Sequence, residues 1–200
     1  MGKIIGIDLG TTFSKIAVWN DTHENAATLA SLMEQTRPLP LDFLAWNGDV
    51  TNDSASGSGA AYVFVRNGTN WAQQAYLKAS NAGVGDEFGN SVSLSGDTVV
   101  VGAYWMNLVA GAAYIFERSA EGAGNWGQVK KLTAGDSAAG DQFGKSVTVS
   151  VDRVVVGASG KDTNAGAAYL FERNNGGSEN WGEWGKFIVV DPSPGDQFGF

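Results

Sequence analysis

Cysteine is absent from this chain, which excludes disulfides, thiolate metal sites and a cysteine nucleophile. Its absence does not fix a compartment, because exported proteins can also lack it. Histidine occurs once, at His23 near the start of a polar stretch, so no Ser-His-Asp arrangement can be built further along the chain. Basic residues are few: 13 Lys and Arg stand against 21 Asp and Glu, for a formal net charge of −8. A nucleic-acid or anionic-membrane surface needs a basic footprint, so neither partner is expected. No apolar run approaches the roughly 18 residues of a membrane span, so insertion is not expected either. The N-terminus does not read as a secretory leader, since Asp8 interrupts its only early apolar stretch and no small-residue cleavage site follows a long apolar core.

Glycine is plentiful but unevenly spread. Gly2, Gly6 and Gly10 are the only ones before Asn47, and all the others of the 28 come from Gly48 onward. Dense glycine among short β-rich runs is the composition of tight turns joining short strands. The runs repeat. GAAYVF begins at Gly59, GAAYIF at Gly111 and GAAYLF at Gly166, while GDEFG at Gly85 and GDQFG at Gly140 and Gly195 stand 55 residues apart. Trp71, Trp126 and Trp181 keep the same interval, each after Asn. A fixed period of this size means stacked or radial copies of one supersecondary unit, each needing a neighbour to bury its apolar face.

In the copy from Phe88 to Gln142, Ser91 to Ser95 alternates polar and apolar, as a strand with one buried face does. Gly96-Asp97 is a turn, and Thr98 to Val101 is the β-branched run of a strand covered on both sides. Residues 102–110 read as a loop, Ala112 to Arg118 as a third strand and Trp126 to Thr133 as a fourth. The next copy predicts strands at Ser146–Ser150, Arg153–Val156, Ala167–Arg173 and Trp181–Val190. Four short antiparallel strands per unit are the blade of a β-propeller.

The recurring phrases have physical tasks. Asp86, Asp141 and Asp196 are placed to bond nearby backbone amides within their turns. Phe88, Phe143 and Phe198 would plug the seam between blades, each ring being worth about 1.5–3 kcal/mol on full burial. The alanine pair of GAAY lets strands approach closely, with Tyr62, Tyr114 and Tyr169 beyond it.

Phe88-Gly89 followed by Gly102-Ala103, and Phe143-Gly144 followed by Gly157-Ala158, resemble the FG-GAP repeat of integrin α-subunit propellers and their bacterial relatives, with Tyr104 and Ser159 in place of the final proline. The resemblance covers residues 41–200. It implies an all-β fold: a partial propeller of about three four-stranded blades, preceded by a β-hairpin and a short helix. It also implies a non-enzymatic binding or adhesion module, outside the cell or on its surface, meeting a protein or glycan ligand through its loops.

Calcium is the cofactor to ask about, because integrin-like blades often carry loops with oxygen ligands at alternate positions. The candidates are Asp162 and Asn164 in one loop and Asp49 and Asp53 in another, and neither loop has the full motif. The alternative is solvated turn residues and no cofactor. Trp105-Met106 is the better contact pair in a loop.

The repeat region divides into 41–87, which holds three strands at most (Leu41–Trp46, Ala60–Arg66 and Trp71–Ala79), then 88–142, 143–197 and the start of a copy at 198–200. Such a number of blades cannot close a ring of four to eight. Further blades or self-association are therefore expected.

Residues 1–20 carry a different signature. Lys3 to Val18 reads strand, Gly-Thr-Thr turn, strand, and resembles the first phosphate motif of the heat-shock chaperone ATPases in the actin-like superfamily. By that resemblance Asp8 would orient water on Mg²⁺, while Gly10, Thr11 and Thr12 would face nucleotide phosphates. Phe13 departs from that family's small polar residue, and its second phosphate motif and adenosine-contacting glycine motif are missing. A lone hairpin cannot enclose ATP, so the expected role of Lys3–Trp19 is to cap or complete the first blade. Residues 21–40 form a connector with a short amphipathic helix over Thr22–Gln35, ended by Pro38 and Pro40. Two rival readings stay open: a nucleotide-binding fragment, and a fused or truncated chain without a selected function.

Overall fold

The computed structural model describes residues 57–200 except 68 and 69, with backbone alone at 66, 67 and 71 and in the strands at 3–7, 17–21 and 43–48. Three sheets make up the molecule. The first contains β1 (Lys3–Ile7), β2 (Ala17–Asp21), β3 (Phe43–Gly48), β4 (Ala60–Asn67) and β5 (Asn70–Leu77) in that order. The second is β6 (Ser91–Ser95), β7 (Thr98–Ala103), β8 (Ala112–Arg118) and β9 (Trp126–Leu132). The third is β10 (Phe143–Ser150), β11 (Arg153–Ala158), β12 (Ala167–Glu172) and β13 (Gly182–Phe187). The second and third are four-stranded antiparallel meanders in one common register, each with a bulge between its last two strands. The helix expected at 22–35 lies outside the described residues.

The first sheet departs from this plan at its inner end. β2 lies where β6 and β10 lie in the other blades, and it runs parallel to β3, with Val18 opposite Ala45 and Asp21 opposite Gly48. β1 pairs antiparallel on its far side. Innermost strands neighbour one another: β10 packs beside β6 and β7, and β6 beside β3 and β2. This is an all-β partial propeller.

A period of two explains how each blade joins its neighbours. Along β7, Val99 and Val101 belong to the core shared with the first blade, whereas Val100 belongs to the core shared with the third. Tyr114 and Phe116 of β8 face back and Ala113 and Ile115 face forward. All these side chains are buried, so the β-branched run is apolar throughout because each face has its own neighbour.

The phenylalanine of each GD(E/Q)FG phrase is the wedge in these seams. Phe88 packs edge-on against Tyr114 and Phe116 at 5.5 and 5.9 Å, and Phe143 against Tyr169 and Phe171 at 5.5 and 6.0 Å. Both rings are buried, while Phe198, the third copy, is 36% exposed. The turn aspartates do what their position implies: Oδ2 accepts the amide three residues back in Asp86 (Gly83, 2.7 Å), Asp141 (Ala138, 2.7 Å) and Asp196 (Ser193, 2.8 Å).

Candidate binding surface

At one rim of the arc, the loop between the second and third strands of a blade meets the GD(E/Q)FG turn of the next. These loops hold the one-turn segments α1 (Met106–Val109) and α2 (Lys161–Asn164), and both wind left-handed. Asn107, Leu108 and Val109 have φ of 50, 59 and 68°, and Asp162, Thr163 and Asn164 have 49, 58 and 65°. Each such residue costs about 1–2 kcal/mol for an L side chain.

The next blade compensates. The carbonyls of Leu108, Val109 and Ala110 accept the amides of Gly140, Gln142 and Phe143 at 3.2, 2.8 and 3.0 Å. Asn164 and Ala165 do the same for Gly195, Gln197 and Phe198. Each bond contributes about 0.5–1.5 kcal/mol net, and the wedge it positions about 1.5–3. Gly111 (φ +86°) completes the splice, because a Cβ there would lie 1.9 Å from the Phe143 carbonyl oxygen. The turns are therefore braced, and what they display is held in place.

The two rim loops share this backbone and differ in chemistry. The α1 loop is apolar and aromatic. Trp105 is 48% and Leu108 83% exposed, and Trp105 lies against Gly85, next to the exposed Val84. Tyr104 meets the Trp105 ring edge-on at 5.6 Å, and Lys145 Nζ sits 3.7 Å from the Tyr104 ring centre and 5.5 Å from that of Phe200. Burial, reinforced by Glu87 beside its hydroxyl, pushes Tyr104 up to about 12, so it stays a neutral donor. Burial lowers the Lys145 pKa, with Glu87 acting against that change. Met106, expected with Trp105 as an exposed contact, is instead buried, with Sδ 3.1 Å from the Tyr114 hydroxyl. The α1 backbone turns the two neighbours to opposite sides.

The α2 loop is polar. Asp162, Thr163 and Asn164 are exposed, while Lys161, at the place of Met106, is buried. Its ammonium donates to Asp141 Oδ2 at 2.9 Å and lies 3.6 Å from Asp136 Oδ2. Desolvation opposes the charge, but the carboxylates of Asp141, Asp136 and Asp162 prevail and raise the Lys161 pKa. Asp136 also accepts from Tyr169 (2.6 Å) and Lys186 (2.8 Å). Burial pushes its carboxyl up, yet these donors and the charge of Lys161 hold it down to about 2.

Of the calcium candidates, Asp162 and Asn164 fall short of an oxygen cage. Asp162 Oδ2 faces Lys186 Nζ at 3.8 Å, and the Asn164 carbonyl already accepts two amides. Among the described residues, no group of three His, Cys, Asp or Glu is placed to hold a metal. Asp49 and Asp53 lie outside the described residues, as do Asp8, Gly10, Thr11 and Thr12 of the phosphate-like turn. Sequence reasoning missed Lys161 as a buried group. The signal was its register with Met106, five residues before each GAAY glycine, paired with Asp136 in register with Asn81.

Repeated four-stranded sheets, spliced by left-handed turns and wedged by phenylalanine, define a β-propeller-type repeat protein. Residues 71–116 and 126–171 match the family described as FG-GAP repeat, and those segments are FG-GAP repeats. No curated protein matches the chain. FG-GAP repeats build propeller-type binding modules and are generally non-enzymatic. No helix among the described residues is long and apolar enough to cross a membrane.

Proposed function

We propose that this protein is a non-enzymatic recognition module for adhesion or display outside the cell, and that it meets a protein or glycan through the rim formed by the α1 and α2 loops. The observation that carries this reading is the pair of large apolar side chains, Trp105 and Leu108, held out to solvent on a braced turn. An indole displayed this way provides a stacking face for a sugar ring or an anchor for a protein pocket. The neighbouring Asp162, Thr163 and Asn164 supply a polar rim. The usual setting of FG-GAP repeats outside cells supports the location, and the stack is completed by further blades or by other copies.

The test is binding to an array of immobilised glycans and cell-surface proteins. Trp105→Ala should lower affinity for whatever is captured by about 30-fold, the effect of losing an interface anchor, with the melting temperature unchanged. Retained binding in both Trp105→Ala and Leu108→Ala would move the ligand elsewhere. Titration with Mg²⁺-ATP should give no saturable signal, and a signal abolished by Asp8→Ala would favour the nucleotide reading. A cooperative melt of the soluble protein would count against a chain without a selected function.

A further inference from the structure

The third blade has one covered face and one open face, and the covered junction inside the molecule shows what the open one is built to receive. Val100, Ile115 and Leu132 of the second blade are buried against the third. Their counterparts in register, Val155 and Leu170, are half-buried and Phe187 is 45% exposed, with Ile188 and Val190 also exposed beside it. This is the same forward face without its cover.

The polar fittings repeat as well. At the covered junction, Arg173 of the third blade donates to Glu117 and, at 3.1 Å, to Thr98 Oγ1 of the second, and stacks over Trp181 at 4.5 Å. Trp181 Nε1 also donates to Glu117, and the Val149 and Val151 amides donate to Ser93 and Ser95 Oγ. One period on, the third blade presents Glu172, Thr148 and Ser150 in those positions. Between them lies a cleft of about 710 Å³ lined by Ser150, Asp152, Arg153, Glu172, Arg173 and Trp184. On the rim side, Asp136 takes Lys161 and Tyr169 of the following blade, and Asp191 is its exposed counterpart. The entry of a further blade is already seated: the Phe198 amide bonds the Ala165 carbonyl at 3.0 Å, and Ser146 Oγ donates to the Gly199 carbonyl at 2.9 Å.

We infer that the open face is a docking surface for a further FG-GAP blade entering at Phe198, and that Asp191 and Glu172 select its chemistry: a lysine in the place of Lys161 and an arginine–tryptophan pair in the places of Arg173 and Trp181. This rests on the propeller reading and is independent of any ligand at the rim. The first blade of a second copy is a poor match. It carries Arg66 and Trp71, but counting back from Gly59 puts Ser54 where the lysine belongs.

The test extends the full chain beyond Phe200 with its own residues 146–200, which supply that lysine, arginine and tryptophan in register. A parallel extension with residues 91–145 supplies methionine in the lysine's place. With the first extension, exchange of the β13 amides should slow by about tenfold or more, and Asp191→Asn should reduce its folding equilibrium by about tenfold, the weight of one charge-assisted hydrogen bond. With the methionine extension, Asp191→Asn should be neutral or favourable, since Asn81 faces Met106 in the first junction. Unchanged β13 exchange in both extended chains, or equal effects of Asp191→Asn on the two, would overturn the inference. So would concentration-dependent dimerisation of the 200-residue chain that protects β13, which would assign the face to a second copy.

Discussion

The two junctions of this molecule solve one packing problem with opposite electrostatics. Between the first and second blades, the Tyr114 hydroxyl donates to Asn81 at 2.9 Å beside Met106, and Trp126 Nε1 donates to Gln74 at 2.9 Å. Between the second and third, Tyr169 donates to Asp136 at 2.6 Å beside Lys161, and Trp181 donates to Glu117 alongside Arg173. The apolar wedge is the same in both, with Phe88–Tyr114 and Phe143–Tyr169 each 5.5 Å apart. Geometry is therefore set by the phenylalanine, the small residues around it and the left-handed splice. The polar cluster is an interchangeable insert whose members have to change together: methionine with asparagine, lysine with aspartate.

The largest effect should come from the shared part. Phe143→Ala should destabilise by about 3–5 kcal/mol, as deletion of a buried ring does, and Phe88→Ala by a similar amount. Phe198→Ala, at the uncovered end, should cost under about 1 kcal/mol. Urea unfolding of the three variants measures this, and equal losses would break the distinction between covered and open faces. Next comes the insert. Lys161→Met alone should cost roughly 2–3 kcal/mol, because Asp141 and Asp136 lose their cation, while Lys161→Met with Asp136→Asn should recover most of it. A double variant no better than the single would show that the two junctions are not interchangeable.

The smallest effect is acid dependence. Asp136 titrates below its ordinary value in the folded protein, so its contribution is present above about pH 4 and is lost as pH falls toward about 2. Wild type should exceed Asp136→Asn in urea midpoint at pH 5, with the gap closing by about pH 2, whereas Asn81→Ala should show no acid-dependent gap. A gap that persisted at pH 2 would show that Asp136 acts through shape and not through charge.

Much of this was legible in the residues. β6 and β8 fall where the alternation of Ser91–Ser95 and the run Ala112–Arg118 put them, because period-two patterning between glycine turns leaves few other structures open. Boundaries drifted where tertiary contact decided them. β7 runs on to Ala103, where Gly102 comes up against Gly144 and the approach is too close for a side chain. β13 ends at Phe187, short of the expected Val190, on a face without a neighbour.

Two features were not legible. Nothing local in Trp105–Val109 or Gly160–Asn164 marks a left-handed turn, since these are ordinary residues forced there by bonds to the next blade. The parallel pairing of β2 with β3 was equally hidden, because strand direction in a sheet is a long-range choice that local patterning does not encode. Of the rim site, Trp105 could be picked out as an exposed aromatic in a loop, but the burial of its neighbours Met106 and Lys161 depended on that hidden turn.

The claim beneath all of this is that a blade becomes rigid when its neighbour covers it. Native-state hydrogen exchange of β9 against β13 tests it most directly, because both are outer strands in the same register and only β9 lies under a following blade. Slower exchange in β9 by about tenfold or more is predicted. Equal protection in the two strands would contradict it.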